Sequence, residues 1–328
     1  MQTALHPQRI MAFTFAYRRL PRKFGYPMTI RIPTKLGFKK PKFVVAISVT
    51  NNYPGRRGSA AGGWEAVMSG ELCAVAIMAK ASVAGTVKTR LVPPFTYEEA
   101  AELNTCCLID VAANIQAAAR RVPIQGFAAY DPLGSERFFE DLLPSGFKLL
   151  PPKEPTIGRS LFHAAHDLLD AGYGSVCLVN ADSPTLPTEI LVETVRRLRE
   201  PGDRVVLGPA ADGGYYLIGL KRFHQRLFEQ IDWSTERVYR QTIARACEIG
   251  LTVASLPEWY DVDDEETLAA LARELHLGQV PAEGYRGGYP APATTAFLEK
   301  LAVKNGGIER LFRRASAVRH PPPPRGQS

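Results

Sequence analysis

From residue 71 to residue 278, short apolar runs alternate with amphipathic segments almost without a break. That alternation limits the possible folds more than any other feature. Cys73–Ala79 is continuously apolar, as a strand covered on both faces must be. Gln125–Tyr130, Lys148–Leu150, Val176–Val179, Val205–Leu207, Tyr215–Leu220 and Leu251–Leu256 read as further strands. Between them, helices are expected at Tyr97–Arg120, Ser135–Leu142, Gly158–Leu169, Thr188–Leu198, Phe223–Gln230, Thr235–Ile249 and Asp264–Leu275. Leu108, Val111, Ala112 and Ile115 share one face of the first helix, and Leu161, Ala165, Leu168 and Leu169 one face of the third. The pattern predicts an α/β domain over 71–278, a mostly parallel sheet with helices on both faces. In such sheets ligands bind beyond the carboxyl ends of the strands, so polar residues just after each strand carry most weight.

The flanks do not continue the pattern. Residues 1–67 hold scattered proline, glycine and basic residues, and read either as a leader or as a poorly ordered extension outside the fold. Residues 279–328 read as a poorly ordered tail with one helix near Ala296–Leu301, because a run such as His320-Pro-Pro-Pro-Pro-Arg cannot be helix or central strand.

Charge follows the same division. Residues 1–67 contain 12 lysines and arginines against Glu65, a net +11, so the other residues carry −4 of the chain's +7. The basicity is dispersed and lacks an aromatic platform, so nucleic acid is not expected as a partner. No apolar run approaches the roughly 20 residues of a membrane span. Five cysteines, an odd number without a C-x-x-C, speak against a disulfide framework or structural zinc and for a reducing cytoplasm.

Four segments bear the chemistry. The first strand runs into Lys80-Ala-Ser-Val-Ala-Gly85-Thr-Val-Lys88-Thr89-Arg90, where three cations surround a glycine at the place a phosphate would lie. The loop is neither a Walker loop nor G-x-G-x-x-G, and a solvated basic loop is the plainer reading. Val176–Val179 leads to Asn180-Ala-Asp182-Ser183-Pro184, where the acid either holds a divalent cation or merely forms a turn. In Gly208-Pro-Ala-Ala-Asp212-Gly213-Gly214, glycines permit a close backbone approach and Asp212 is a candidate base or hydroxyl ligand; a simple hairpin turn is the alternative. Asp261-Val-Asp263-Asp264-Glu265 follows the last strand. Asp261 and Asp263 fall on one side if the segment is extended, and one of these acids is a ready helix cap. His163 and His166 form H-x-x-H without the acid of a zinc enzyme, and G-x-S-x-G is absent.

These motifs, together with Trp233-Ser-Thr235, occur in an order that resembles DUF2064, a bacterial family described as GT-A-type glycosyltransferases, some in radical-SAM gene neighbourhoods. That family is similar in turn to the phospholactate and molybdenum-cofactor guanylyltransferases. The resemblance spans about 71–278 and implies a nucleotide-diphospho-sugar transferase fold. It implies that Lys80, Gly85, Lys88, Thr89, Arg90, Ser183, Gly213 and Gly214 contact nucleotide. It also implies that Asp182, Asp261 and Asp263 bind Mg2+ or Mn2+, and that Asp212, Lys88 and Arg90 serve the reaction. The first loop departs from the commoner A-K-x-P form, with Ser82-Val83 where a proline is usual. A metal-dependent glycosyltransferase acting on a small-molecule acceptor is the first expectation. A nucleotidyltransferase joining an NTP to a phosphorylated small molecule, with release of pyrophosphate, is the second. A non-catalytic nucleotide-binding module is the third.

Overall fold

The computed structural model describes residues 72–278 and 287–305, and before them only four short strands. The chain divides into two units, Met1–Ser69 and Gly70–Ser328. In the first, Ile10–Ala12 pairs antiparallel with Thr29–Arg31, and Thr14–Phe15 with Arg18–Arg19. The rest of the expected extension over 1–67 lies outside the described residues.

The second unit carries a seven-stranded sheet. Its strands are β1 (Cys73–Lys80), β2 (Ile124–Asp131), β3 (Lys148–Leu150), β4 (Ser175–Asn180), β5 (Arg204–Pro209), β6 (Tyr215–Leu220) and β7 (Thr252–Ser255). The order across the sheet is β3-β2-β1-β4-β6-β5-β7, and only β6 runs antiparallel to its neighbours. β1 sits in the middle because its apolar run suits a strand with both faces covered. Val75 and Ile77 are fully buried on one face, Ala74 and Ala76 on the other.

The helices are α1 (Tyr97–Ala119), α2 (Glu136–Leu142), α3 (Ile157–Asp170), α4 (Thr188–Arg199), α5 (Val238–Glu248), α6 (Glu265–Leu277) and α7 (Pro292–Asn305). Leu103, Leu108 and Ile115 of α1, Ile190 of α4 and Leu271 of α6 pack on one face of the sheet. Leu161, Ala165 and Leu168 of α3 and Ala246 of α5 pack on the other. Each fully buried leucine or isoleucine contributes about 1.5–3 kcal/mol. The α/β architecture with helices on both faces is thus the observed one.

Two local expectations fail. Phe223–Gln230 forms only a 3-10 turn at Gln225–Phe228, with Gln230 in the left-handed region at φ 53° just beyond it. The tail expected from residue 279 is interrupted by α7, a longer helix than anticipated. Phe297 and Leu298 of α7 are buried, and both carboxylate oxygens of buried Asp110 on α1 accept from its first turn, from Ala293 N at 3.0 Å and Thr294 N at 2.7 Å. The folded unit therefore extends past Gly278. The tail from residue 306 lies outside the described residues.

Candidate functional site

Three connections meet at the carboxyl ends of β1, β4 and β5. The loop after β1 bends back through a 3-10 turn at Thr89–Leu91, preceded by Lys88 in the left-handed region at φ 47°. A lysine adopts that conformation only where its surroundings fix it. Lys88 Nζ donates to Asp182 Oδ1 at 2.5 Å and to the Val262 carbonyl at 2.8 Å, and its side chain is 3% exposed. Asn104, buried on α1, holds the start of the loop, its Nδ2 donating to the Lys80 carbonyl at 3.2 Å and to Ser82 Oγ at 2.9 Å. A second buried amide, Asn114, holds the segment after Asp182. It donates to the Leu186 carbonyl at 2.6 Å and accepts from Thr188 Oγ1 at 2.6 Å.

The segment 259–263 is clamped between two turns. Val262 N donates to the Asp182 carbonyl at 2.9 Å on one side, and Ala211 N to the Trp259 carbonyl at 3.0 Å on the other. Ser183 is buried and spends its hydroxyl on the Tyr260 carbonyl at 2.9 Å. It is a strut between the two segments, and its hydroxyl is directed away from both clefts, which Ser183 does not line. Asp264, not Asp263, caps α6, in a capping box with Thr267.

This clamping gathers four acids. The Asp261 carboxyl is pushed from its ordinary 3.8 up to about 7, first by burial and then by Asp263, Asp212 and Asp182. Asp263 is raised by burial and by Asp182, while Lys88 and Arg90 oppose the rise. Burial alone would lower the Lys88 ammonium, but the pairing with Asp182 raises it above its ordinary range. Arg90 reaches Asp263 only at 3.8 Å with 76% of its side chain exposed, a contact of little energetic value.

Two clefts adjoin the gathering. The first, about 350 Å3, lies over β1, β2 and the start of α3, and its wall includes Lys80, Lys88, Asn104, Lys153, His163 and Asp263. The second, about 200 Å3, lies beside β4 and β6, with Asp212, Gly214, Trp233 and Asp261 in its wall. Asp182 lines both. Asp261 and Asp263 thus serve different clefts, not one side as an extended strand would give. Among the described residues no three His, Cys, Asp or Glu side chains converge into a ready metal cage. Gly85, Thr89, Arg90 and Gly213 line neither cleft. Gly213, at φ 88°, makes its close approach to the Glu236 backbone, where an added Cβ would stand 2.4 Å from the carbonyl oxygen. Asp212 is exposed and its Oδ1 accepts from Gly214 N at 2.8 Å, closing the turn.

Sequence reasoning missed Asn104, Asn114, Lys153 and Trp233 as parts of the site. The first two are buried helix residues, and only the third dimension shows what they hold. Trp233 carried a visible signal, since it stands in a motif already singled out.

Residues 114–235 match the family model described as "Uncharacterized protein conserved in bacteria (DUF2064)". The match includes the Asp182, Asp212 and Trp233 motifs and leaves the first loop and Asp261–Asp263 outside it. A crystal structure from Desulfovibrio desulfuricans G20, provisionally named a nucleotide-diphospho-sugar transferase, is 27% identical and covers 74% of this chain and 98% of its own, with a TM-score of 0.61. The 4-diphosphocytidyl-2C-methyl-D-erythritol synthase of Anaerococcus prevotii DSM 20548 is 11% identical, with 65% and 99% coverage and a TM-score of 0.42. One curated protein, provisionally named protein-methionine-sulfoxide reductase subunit YedZ1, from Azospira oryzae, is 51% identical over 55 residues; the match spans 17% of this chain and 21% of that protein. The resemblance read from the motifs is therefore met by both sequence model and architecture: residues 114–235 match the DUF2064 model, and the α/β fold is similar to that of the Desulfovibrio structure.

Proposed function

We propose that this chain is a transferase that takes a nucleotide-diphospho-sugar into the first cleft and passes the glycosyl group to an acceptor in the second, with a divalent cation assisting. The observation that carries this reading is Asp182, which lines both clefts at the carboxyl end of a central strand. A transfer reaction needs two substrates to meet at such a seam. The structural neighbour from Desulfovibrio, with its provisional transferase name, supports the reading.

The carboxylates suit Mg2+ or Mn2+ in kind, since hard cations take oxygen donors. Asp182 raises the proton affinity of both Asp261 and Asp263, and Asp263 that of Asp261, which leaves negative charge for a cation to relieve. Asp182, Asp261 and Asp263 are the residues that would hold it. When bound, it would neutralise the diphosphate leaving group. The chain's own cations would share that task. Lys80 stands exposed at the end of β1 in the first cleft, positioned to meet phosphate oxygen. Lys88 fixes the Asp182 carboxylate and presents positive charge to the same cleft. Asp212, exposed in the second cleft, is placed to accept a proton from an acceptor hydroxyl.

One observation favours nucleotidyl transfer as a second reading. The first cleft contains three lysines beside four aspartates, and Lys80, exposed at the end of β1, is a cation for a further phosphate. The test uses the full chain with Mg2+ or Mn2+ and each common NTP and NDP-sugar, read by thermal shift and by product. Stabilisation by NDP-sugars with release of nucleoside diphosphate is expected. Pyrophosphate release from an NTP with a phosphorylated substrate would favour the second reading. If no nucleotide stabilises the chain with either metal, both fail and a non-catalytic module without this site remains.

A further inference from the structure

The two clefts differ in their side-chain cations. The wall of the first includes Lys80, Lys88, Lys153 and His163 beside Asp131, Asp167, Asp182 and Asp263. The wall of the second holds Asp182, Asp212 and Asp261 and, among the described residues, no lysine, arginine or histidine. A phosphate entering the second cleft would face Asp212 directly, and Asp182 and Asp261 to the extent that a shared cation leaves them charged, with no lysine, arginine or histidine in the wall to attract it, which disfavours it electrostatically. A hydroxyl group suits the same acids, because a carboxylate accepts hydrogen bonds and a hydroxyl donates them.

The rest of that wall is shaped for a small ring or chain. Trp233 lies against the Cα of Gly158 on α3, so closely that an added Cβ would stand 2.2 Å from its Nε1. It meets the Tyr215 ring edge-on, with centroids 6.5 Å apart at 82°. Glycine on one side and tyrosine on the other fix the indole, which stays half-buried beside the cleft. Ser234 and Thr235 add hydroxyls next to it. About 200 Å3 admits only a small occupant, below the usual range for a drug-sized ligand.

We infer that the second cleft is the acceptor subsite and that its ligand is an uncharged, hydroxyl-bearing small molecule, a polyol or a sugar, packed on Trp233 and not phosphorylated. The inference rests on the transfer reading above and narrows it, because nucleotidyl transfer would require a phosphorylated molecule in this cleft.

The test takes the full chain with Mg2+ and whichever of UDP, GDP, CDP or ADP stabilises it. Matched pairs are then titrated by calorimetry or saturation-transfer NMR: glycerol against glycerol 3-phosphate, and methyl glucoside against glucose 6-phosphate. The neutral member should bind at least about tenfold tighter in each pair, as expected where the wall penalises added charge. Trp233→Ala should weaken the neutral members about tenfold while leaving the nucleotide thermal shift unchanged, and Trp233→Phe should retain most of the affinity, since an aromatic face supplies the contact. Equal or tighter binding of the phosphorylated members, no binding of either neutral compound, or an unaltered affinity in Trp233→Ala overturns the inference. If no nucleotide stabilises the chain, the reading of the first cleft fails separately. The titrations on the unloaded protein then decide the acceptor question, with the same preference expected.

Discussion

Replacing Lys88 by methionine separates two roles that the site assigns to one side chain. Methionine keeps most of the apolar stem and fills irregular space well, so packing changes little. What is lost is the ion pair with Asp182 at 2.5 Å and the hydrogen bond to the Val262 carbonyl at 2.8 Å. Breaking one side of a fully buried pair costs about 3–5 kcal/mol. Lys88 is 3% exposed but Asp182 is 34% exposed. Water can therefore solvate the abandoned carboxylate, and the cost falls to about 2–3 kcal/mol by comparison with that buried case. In a domain of this size 1 kcal/mol moves Tm by roughly 2–4 °C, so a fall of about 4–12 °C is expected for the unliganded protein. Lys88→Met with Asp182→Asn should recover part of that loss, because removing both partners leaves no uncompensated charge. Differential scanning calorimetry of the wild type, both single variants and the double variant measures the coupling. If Lys88→Met without ligand melts within about 1 °C of the wild type on that scale, Lys88 does not tether Asp182, and a role confined to phosphate contact replaces the one argued here.

Asp182→Asn and Asp263→Asn should each abolish the Mg2+- or Mn2+-dependent thermal shift caused by an NDP-sugar; a shift of full size in either variant removes that residue from the metal set. Asp261 gives a pH signature. Its folded-state pKa of about 7 lies above the ordinary 3.8, so ionisation disfavours the folded state; the penalty is absent below about pH 4 and complete above about pH 7, with an upper bound of about 4 kcal/mol at 1.36 per unit. In chelator, Asp261→Asn should therefore melt higher than the wild type at pH 8, and the gain should vanish near pH 4; a gain independent of pH would refute the crowding of acids. Asp110→Ala strands two donors at the start of α7 and should cost about 1–3 kcal/mol, read as a lower Tm and faster proteolysis near residue 290; an unchanged protein would mean that α7 is not part of the folded unit.

The central strands and main helices were legible because burial on two faces leaves a plain mark: Cys73–Ala79 and Val176–Val179 have no polar residue to place elsewhere. The motif acids were legible because they follow those strands. Depth was not legible. Lys88 reads as a solvated phosphate ligand beside Lys80 and Arg90, yet a left-handed turn drives it inward onto Asp182. Ser183 reads as a ligand residue but points at the Tyr260 carbonyl. Local rules also misjudge the end of the domain. α7 gets its N-terminal partner from Asp110, a residue 183 positions away from Ala293, and no window of sequence contains both.

Asp261 shows why spacing alone misleads at this site. In an ideal strand, residues two apart share a face, and that rule puts Asp261 with Asp263. But segment 259–263 is not a ladder strand; it is held by one turn at Val262 and by another at Trp259. Its acids consequently divide between the clefts, with Asp182 as the carboxylate common to both. This division leaves the second cleft without a side-chain cation among its described lining residues while the first keeps the lysines, and Asp182 is the carboxylate at which the two clefts adjoin.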